Sequence, residues 1–194
     1  MEASGLIELN GIRKAYGESV LFEDLSISLH DGSKTIIKGA SGCGKTTLLR
    51  IIAGLEAADA GEIICPTRQA YMFQEPRLIP SKNVLDNIRA VLKKEDFALA
   101  DKYLSAVGLL GDEKKFPHEL SGGMAQRVAF ARLLAFAEAT DAELLLLDEP
   151  FSALDKESAS KMLELLKVFS VGKTLLLVTH DESDITFADN VIEL

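Results

Sequence analysis

The sequence predicts an α/β protein with a mostly parallel central sheet, an antiparallel β part near its N-terminal end and a helical lobe inserted between the two halves of the core. Three observations lead there. Short alternating runs with turn residues between them fill positions 6–29, as in an antiparallel sheet. A glycine-rich loop, Gly39-Ala40-Ser41-Gly42-Cys43-Gly44-Lys45-Thr46, stands between the apolar run Thr35-Ile36-Ile37 and the helix-like Thr47-Leu48-Leu49-Arg50-Ile51-Ile52-Ala53. Two wholly apolar runs, 144–147 and 175–178, have the length and composition of strands buried on both faces.

In chain order, Leu6-Ile7-Glu8-Leu9, then Val20-Leu21-Phe22, then Leu25, Ile27 and Leu29 read as strands. Turn signals at Asn10-Gly11, Tyr16-Gly17 and Asp31-Gly32 separate them. Glu62-Ile63-Ile64-Cys65 and Ala70-Tyr71-Met72-Phe73 predict a further strand pair. From 80 to 139 the spacing becomes helical: 83–92 carries Val84, Leu85, Ile88, Val91 and Leu92, 98–110 repeats that spacing, and Val128, Ala131, Leu134 and Ala135 mark a third amphipathic helix. A helix is expected over 156–169 between the two apolar strands, with Asp181 capping a last one. No internal repeat, low-complexity tract or flexible linker divides the chain. Residues 1–194 therefore read as one domain, with 1–80 and 140–194 as the core and 81–139 as the helical lobe.

The chain has 194 residues, 47% hydrophobic and 26% charged, an ordinary globular balance. Its apolar runs fall far short of the roughly 18 residues that cross a bilayer, and no secretion signal opens it. Cys43 and Cys65 match no disulfide or metal spacing, so the cytoplasm is the expected location. A net charge of −9 argues against broad nucleic-acid binding, which depends on Lys and Arg neutralising phosphates. Lys45, Arg50, Arg77 and Arg127 read as cations reserved for particular places.

The loop at 39–46 fits GxxxxGK[ST] in the strand-then-helix setting its chemistry requires. Glycines let successive N–H groups turn inward, and a helix beginning near Gly44 adds its positive end. Such a concavity suits a polyphosphate. Lys45 can neutralise β- and γ-phosphate charge, and the Thr46 hydroxyl can ligate a magnesium ion. Cys43 sits among the same donors, where it reads as a small residue tolerated at a variable position or as a reactive thiol. The motif alone does not separate kinases, GTPases and transport ATPases.

Asp148 and Glu149 end the run Leu144-Leu145-Leu146-Leu147, at the strand end where open α/β sheets bind ligands. Asp148 would hold magnesium through water, and Glu149 would polarise an attacking water. Read singly, they are solvated acids closing a strand. Leu120-Ser121-Gly122-Gly123-Met124-Ala125-Gln126-Arg127 combines a capping Ser with two glycines before an amphipathic helix, 27 residues ahead of Asp148. By itself it is an ordinary helix cap.

Taken together, 39–46, Gln74, 120–126, 147–150, Ser152-Ala153-Leu154-Asp155 and His180 have the order and spacing of an ATP-binding cassette ATPase, which the chain resembles over almost its whole length. The resemblance implies a P-loop NTPase core that binds ATP through 39–46 and Thr47, with Mg2+ as cofactor on Thr46, Gln74 and Asp148. It implies that Glu149 is the general base, that Gln74 touches the metal and lytic water and senses the transport partner, and that His180 contacts the γ-phosphate. Tyr16, in Lys14-Ala15-Tyr16-Gly17, resembles the aromatic that stacks on adenine. In this family two cassettes pair head to tail, so Ser121, Gly122 and Gly123 would act in trans on ATP held by a second ATPase subunit, with Asp155 at the interface. Integral membrane permease subunits would hold the homodimer on the inner face of the cell membrane.

Met72-Phe73-Gln74-Glu75-Pro76-Arg77-Leu78-Ile79-Pro80 is similar to the FQEPRLLPW of nitrate, sulfonate and taurine importer ATPases, with Ser81 where that subgroup often has Trp. An importer would also need a solute-binding protein. The sequence stops after Val191-Ile192-Glu193-Leu194, which reads as a minimal cassette. The alternative class is a soluble cassette ATPase acting on nucleic acid or ribosomes. Those carry coiled-coil or zinc-bearing insertions or two cassettes per chain, features not seen in these 194 residues.

Overall fold

The structure, a computed structural model, describes residues 7–66, 68–180 and 187–194. Leu6 and the cap expected at Asp181 lie outside the described residues. The chain divides into two compact units, one from 1–69, 143–148 and 172–194, the other from 70–142 and 149–171.

The first unit holds an antiparallel sheet of β1 (Ile7–Tyr16), β2 (Ser19–Leu29) and β4 (Ala60–Ile64), in the order β2-β1-β4. Asn10-Gly11 is not a turn. β1 runs through it with a bulge, where the register to β2 shifts between Leu9 and Ile12 and Gly11 takes φ +62°. β2 likewise joins two expected runs into one strand, burying Phe22 and Leu29 while Glu23 and Asp24 face outward. β4 pairs with β1 rather than with the next strand in sequence, β5 (Gln69–Met72).

In the same unit, β6 (Leu144–Asp148), β7 (Thr174–Val178), β3 (Lys34–Lys38) and β8 (Asn190–Glu193) lie side by side in parallel, Leu146 opposite Leu176, Leu176 opposite Ile36, and Ile36 opposite Val191. Every residue of β6 and β7 is buried, as the apolar runs 144–147 and 175–178 within them require, and the polar Asp148 and Thr174 at their ends are buried with them. α1 (Lys45–Ile52) packs on β6 and β7 through its buried face of Leu48, Leu49, Ile51 and Ile52.

The second unit is helical: α2 (Val84–Arg89), α3 (Phe97–Ala106), α4 (Gly122–Ala139) and α5 (Lys156–Phe169). α4 packs against α2 and α3, with Val84, Ile88, Ala100, Leu104, Val128, Phe130 and Leu134 all at 1% exposure or less. Phe130 meets Phe151 edge to face at 5.5 Å, and Tyr103 meets Phe169 at 5.8 Å. α2 and α3 stop short of the helices expected over 83–92 and 98–110. After α3 the chain turns at Gly108 with φ +70°, and Arg127 donates to the carbonyls of Val107 and Gly108 at 3.1 and 3.2 Å. Among the described residues, no helix is long and apolar enough to cross a membrane.

Candidate nucleotide site

The phosphate loop follows β3 and ends where α1 begins, with Gly44 as N-cap at φ +105°. No side chain caps that end and its first turn carries no acid, so its N–H groups keep their positive field. Two glycines are sterically required. A Cβ on Gly39 (φ +148°) would sit 2.6 Å from both the Leu194 carbonyl and Cys43 Sγ, and one on Gly44 would sit 2.7 Å from the Phe22 ring. Lys45 is 6% exposed, and its Nζ donates to the Gly39 carbonyl at 2.9 Å and the Ala40 carbonyl at 2.8 Å. The loop thus holds its own cation over its mouth. Cys43 Sγ lies 3.8 Å from that ammonium. Thr46 and Thr47 are half-buried on the first turn, while Ser41 and Gly42 are exposed.

The ends of β3 and β7 open into a cavity of about 450 Å³ lined by Lys38, Gly39, Ala40, Thr179, His180, Glu193 and Leu194. His180 and the start of the phosphate loop therefore share one cavity, at the carboxyl edge where parallel sheets bind ligands. Asp148 ends β6 opposite Val178 of β7 and is 1% exposed. Its carboxylate and the Thr46 hydroxyl are hard oxygen donors of the kind magnesium prefers, a fit to a metal that needs only one or two protein ligands besides phosphate.

Tyr16 is 50% exposed at the end of β1, and its phenol donates to Glu56. Lys14 Nζ reaches the same carboxylate at 3.0 Å and lies 4.9 Å from the Tyr16 ring centroid. The Tyr16 hydrogen bond, then the Lys14 contact, hold the Glu56 carboxyl below the usual range, and the Glu56 hydrogen bond raises the Lys14 ammonium above its own.

The other site residues belong to the helical unit. Gln74 Nε2 donates to Glu149 Oε2 at 3.1 Å, so the structure brings together two side chains that the sequence assigns to one water. Glu149 stands in the left-handed region at φ +46°, directly before Pro150, and its carbonyl accepts from Ser152 Oγ at 3.1 Å. Three side chains hold the segment 74–83: Gln126 of the 120–126 motif, and Arg132 and Asn87, which sequence reasoning missed. Buried Gln126 donates to the Gln74 carbonyl at 3.4 Å, and Arg132 donates to the carbonyls of Pro76 and Arg77 at 2.7 and 3.1 Å. Asn87, wholly buried, accepts from the Ile79 N–H at 2.7 Å and donates to the carbonyls of Ile79, Lys82 and Asn83 at 3.2, 2.9 and 3.0 Å. The available signal was a polar residue on an apolar helix face: Asn87 lies between Val84 and Ile88.

Ser121 caps α4 by accepting from the Met124 N–H at 3.2 Å. Ser121 and Gly122 are exposed, while a Cβ on Gly123 would lie 3.3 Å from the Ala153 carbonyl, tying this loop to 152–155. Asp155 caps α5 through the Ser158 N–H at 2.9 Å, and that bond lowers its pKa. Two of the cations expected at particular places have structural partners. Arg127 holds the end of α3, and the Arg77 guanidinium lies 3.9 Å over the Phe73 ring.

Residues 22–152 match the family model described as ABC transporter. The chain is 41% identical to the aliphatic sulfonates import ATP-binding protein SsuB 1 of Nocardia farcinica over 193 residues, covering 97% of this chain and 77% of that one. It is 39% identical to the SsuB protein of Zymomonas mobilis, over 97% of this chain and 81% of that one. Among solved structures, the dimeric ATP-binding cassette MJ0796 in a post-hydrolysis state bound to ADP and Pi superimposes with TM-score 0.87 at 28% identity, covering 97% of this chain and 94% of that one. A second dimeric structure of MJ0796 gives TM-score 0.86 at 30% identity over the same shares. With the phosphate loop, the Asp148-Glu149 pair and the loop at 120–126 in place, the chain belongs to the ABC transporter family and is an ATP-hydrolysing cassette of it.

Proposed function

We propose that this chain is the ATPase of an importer for an aliphatic sulfonate or similar small anion, working as a head-to-tail homodimer bound to membrane permease subunits. The observation that carries this reading is the Gln74–Glu149 hydrogen bond of 3.1 Å. It joins the proposed general base to a segment that also lines an apolar groove of about 390 Å³, with Phe73, Arg77, Ile79, Val91 and Phe136 among its walls. A groove of that character suits an apolar segment of a permease, so occupancy there can be felt at Glu149. The relatives named as aliphatic sulfonate import proteins support the solute class, and a solute-binding protein would deliver it.

In this reading the two units act as one cassette. Residues 39–47 bind the ATP phosphates, Lys45 leaves the Gly39 and Ala40 carbonyls for the β- and γ-phosphates, and Tyr16 stacks on adenine. Thr46, Asp148 and Gln74 would hold Mg2+, which would neutralise charge on the phosphate oxygens. Glu149 takes a proton from the attacking water and His180 contacts the γ-phosphate. Ser121, Gly122 and Gly123 serve the partner's ATP. ATP favours the closed pair and ADP the open one, so hydrolysis drives opening by differential affinity.

Affinity purification of the tagged chain from its own membranes, solubilised in detergent, tests this. An integral permease should co-purify, and in proteoliposomes with the solute-binding protein an alkanesulfonate should raise ATP turnover. Recovery of ribosomes or nucleic acid in place of a permease would overturn it.

A further inference from the structure

Tyr16 is half-exposed at a strand end, where a side chain ordinarily samples several rotamers, yet it is tethered. Its phenol donates to Glu56, and the Glu56 carboxylate also receives Lys14 Nζ at 3.0 Å. Lys14, 8% exposed, is itself fixed by the Ala57 carbonyl at 2.9 Å and by Asp59 at 3.8 Å. Asp59 in turn accepts from the Ala15 N–H at 2.7 Å and donates its own N–H to the Arg13 carbonyl at 2.8 Å, so 56–59 is fastened along the end of β1. The same segment continues α1: the N–H groups of Leu55 and Glu56 donate to the Arg50 carbonyl at 2.9 and 3.2 Å. α1 has eight residues, about 12 Å of rigid helix, with the phosphate loop at one end and Glu56 just past the other.

We propose that Glu56 and Lys14 are positioning residues that hold the Tyr16 ring as a fixed wall of the nucleotide-base site and tie that wall to the helix of the phosphate loop. This rests on the reading of Tyr16 as the adenine partner. Glu56 fixes the ring through its hydroxyl, Lys14 lies over the ring, and the base stacks on ring surface that the ammonium leaves open. Glu56 and Lys14 pair with each other at 3.0 Å, which holds both side chains in place beside the ring. A fixed ring costs the incoming nucleotide less conformational entropy than a free one.

Calorimetric titration of the full chain, with magnesium, against ATP and against inorganic tripolyphosphate separates the base from the phosphates. Glu56→Ala should weaken ATP about five- to tenfold and leave tripolyphosphate within about twofold. Glu56→Gln, whose amide oxygen still accepts from the phenol, should stay within about threefold for ATP. Tyr16→Phe removes the same hydrogen bond without touching Glu56 or Lys14 and should weaken ATP selectively, which guards against a folding defect in the first variant. Unchanged ATP affinity in Glu56→Ala, with Tyr16→Ala weakened, would overturn the positioning role and leave the adenine reading standing. A parallel loss for both ligands in Glu56→Ala would overturn it as mere support of the fold. Tyr16→Ala with an unchanged ratio of the two affinities would defeat the adenine reading, and the positioning role with it.

Discussion

The phosphate loop and the acid-bearing loops of the helical unit solve the same backbone problem in opposite ways. Gly39, Gly42 and Gly44 give the phosphate loop its positive φ angles, and glycine reaches them without strain. In the helical unit, Arg77 at φ +44° and Glu149 at φ +46° enter the left-handed region with full side chains. The difference follows from what does the chemistry. In the proposed mechanism main-chain N–H groups bind phosphate, so a side chain there would be dispensable, and at Gly39 it has no room. In the same proposed mechanism the Glu149 carboxylate is the working group, which would exclude glycine there and leave the strain, of order 1–3 kcal/mol, to be held by the surroundings. Those surroundings are visible in the Gln74 hydrogen bond and in the Ser152 contact to the Glu149 carbonyl.

The sharpest way to break this contrast is to keep the backbone at 149 and remove the charge. Glu149→Gln should slow ATP turnover by about 10² to 10⁴ while leaving ATP binding intact, as for a lost general base; near-native turnover in a phosphate-release assay would contradict that role. Adding one methyl to the relaxed loop comes next. Gly39→Ala, pressed at 2.6 Å against the Leu194 carbonyl, should lower ATP affinity about tenfold or more by calorimetry. Unaltered affinity would mean that the loop has slack. The smallest effect has the opposite sign. Glu149→Gly should raise folding stability by about 1 kcal/mol in urea unfolding while abolishing turnover, and a loss of stability would show that the contacts of Glu149 outweigh its strain.

Features written in consecutive residues were the legible ones. β6, β7 and α5 were readable because unbroken apolar runs and 3.6-residue spacing are local signals, and the phosphate loop because its binding groups are neighbours on the main chain. Asn10-Gly11 misled because the same dipeptide serves a turn or a bulge, and only the partner strand β2 decides. β8 is four residues long and largely exposed, too short for any period. The clamp of Asn87, Gln126 and Arg132 on 74–83 and the Tyr16–Glu56 tether join residues remote in sequence or bind through the backbone, where residue type carries little signal. The sequence marks Arg77 and Arg127 only as cations kept for particular places, and their partners, the Phe73 ring and two helix-end carbonyls, are supplied by the fold.

The central claim is that one chain carries half of each ATP site. Sedimentation of Glu149→Gln tests it most directly, because that variant keeps ATP uncleaved. With MgATP the account predicts that the 21.0 kDa chain doubles in mass, and that ADP leaves it single. A chain that binds MgATP, as shown by calorimetry under the same conditions, and still sediments at its single mass would contradict the shared site.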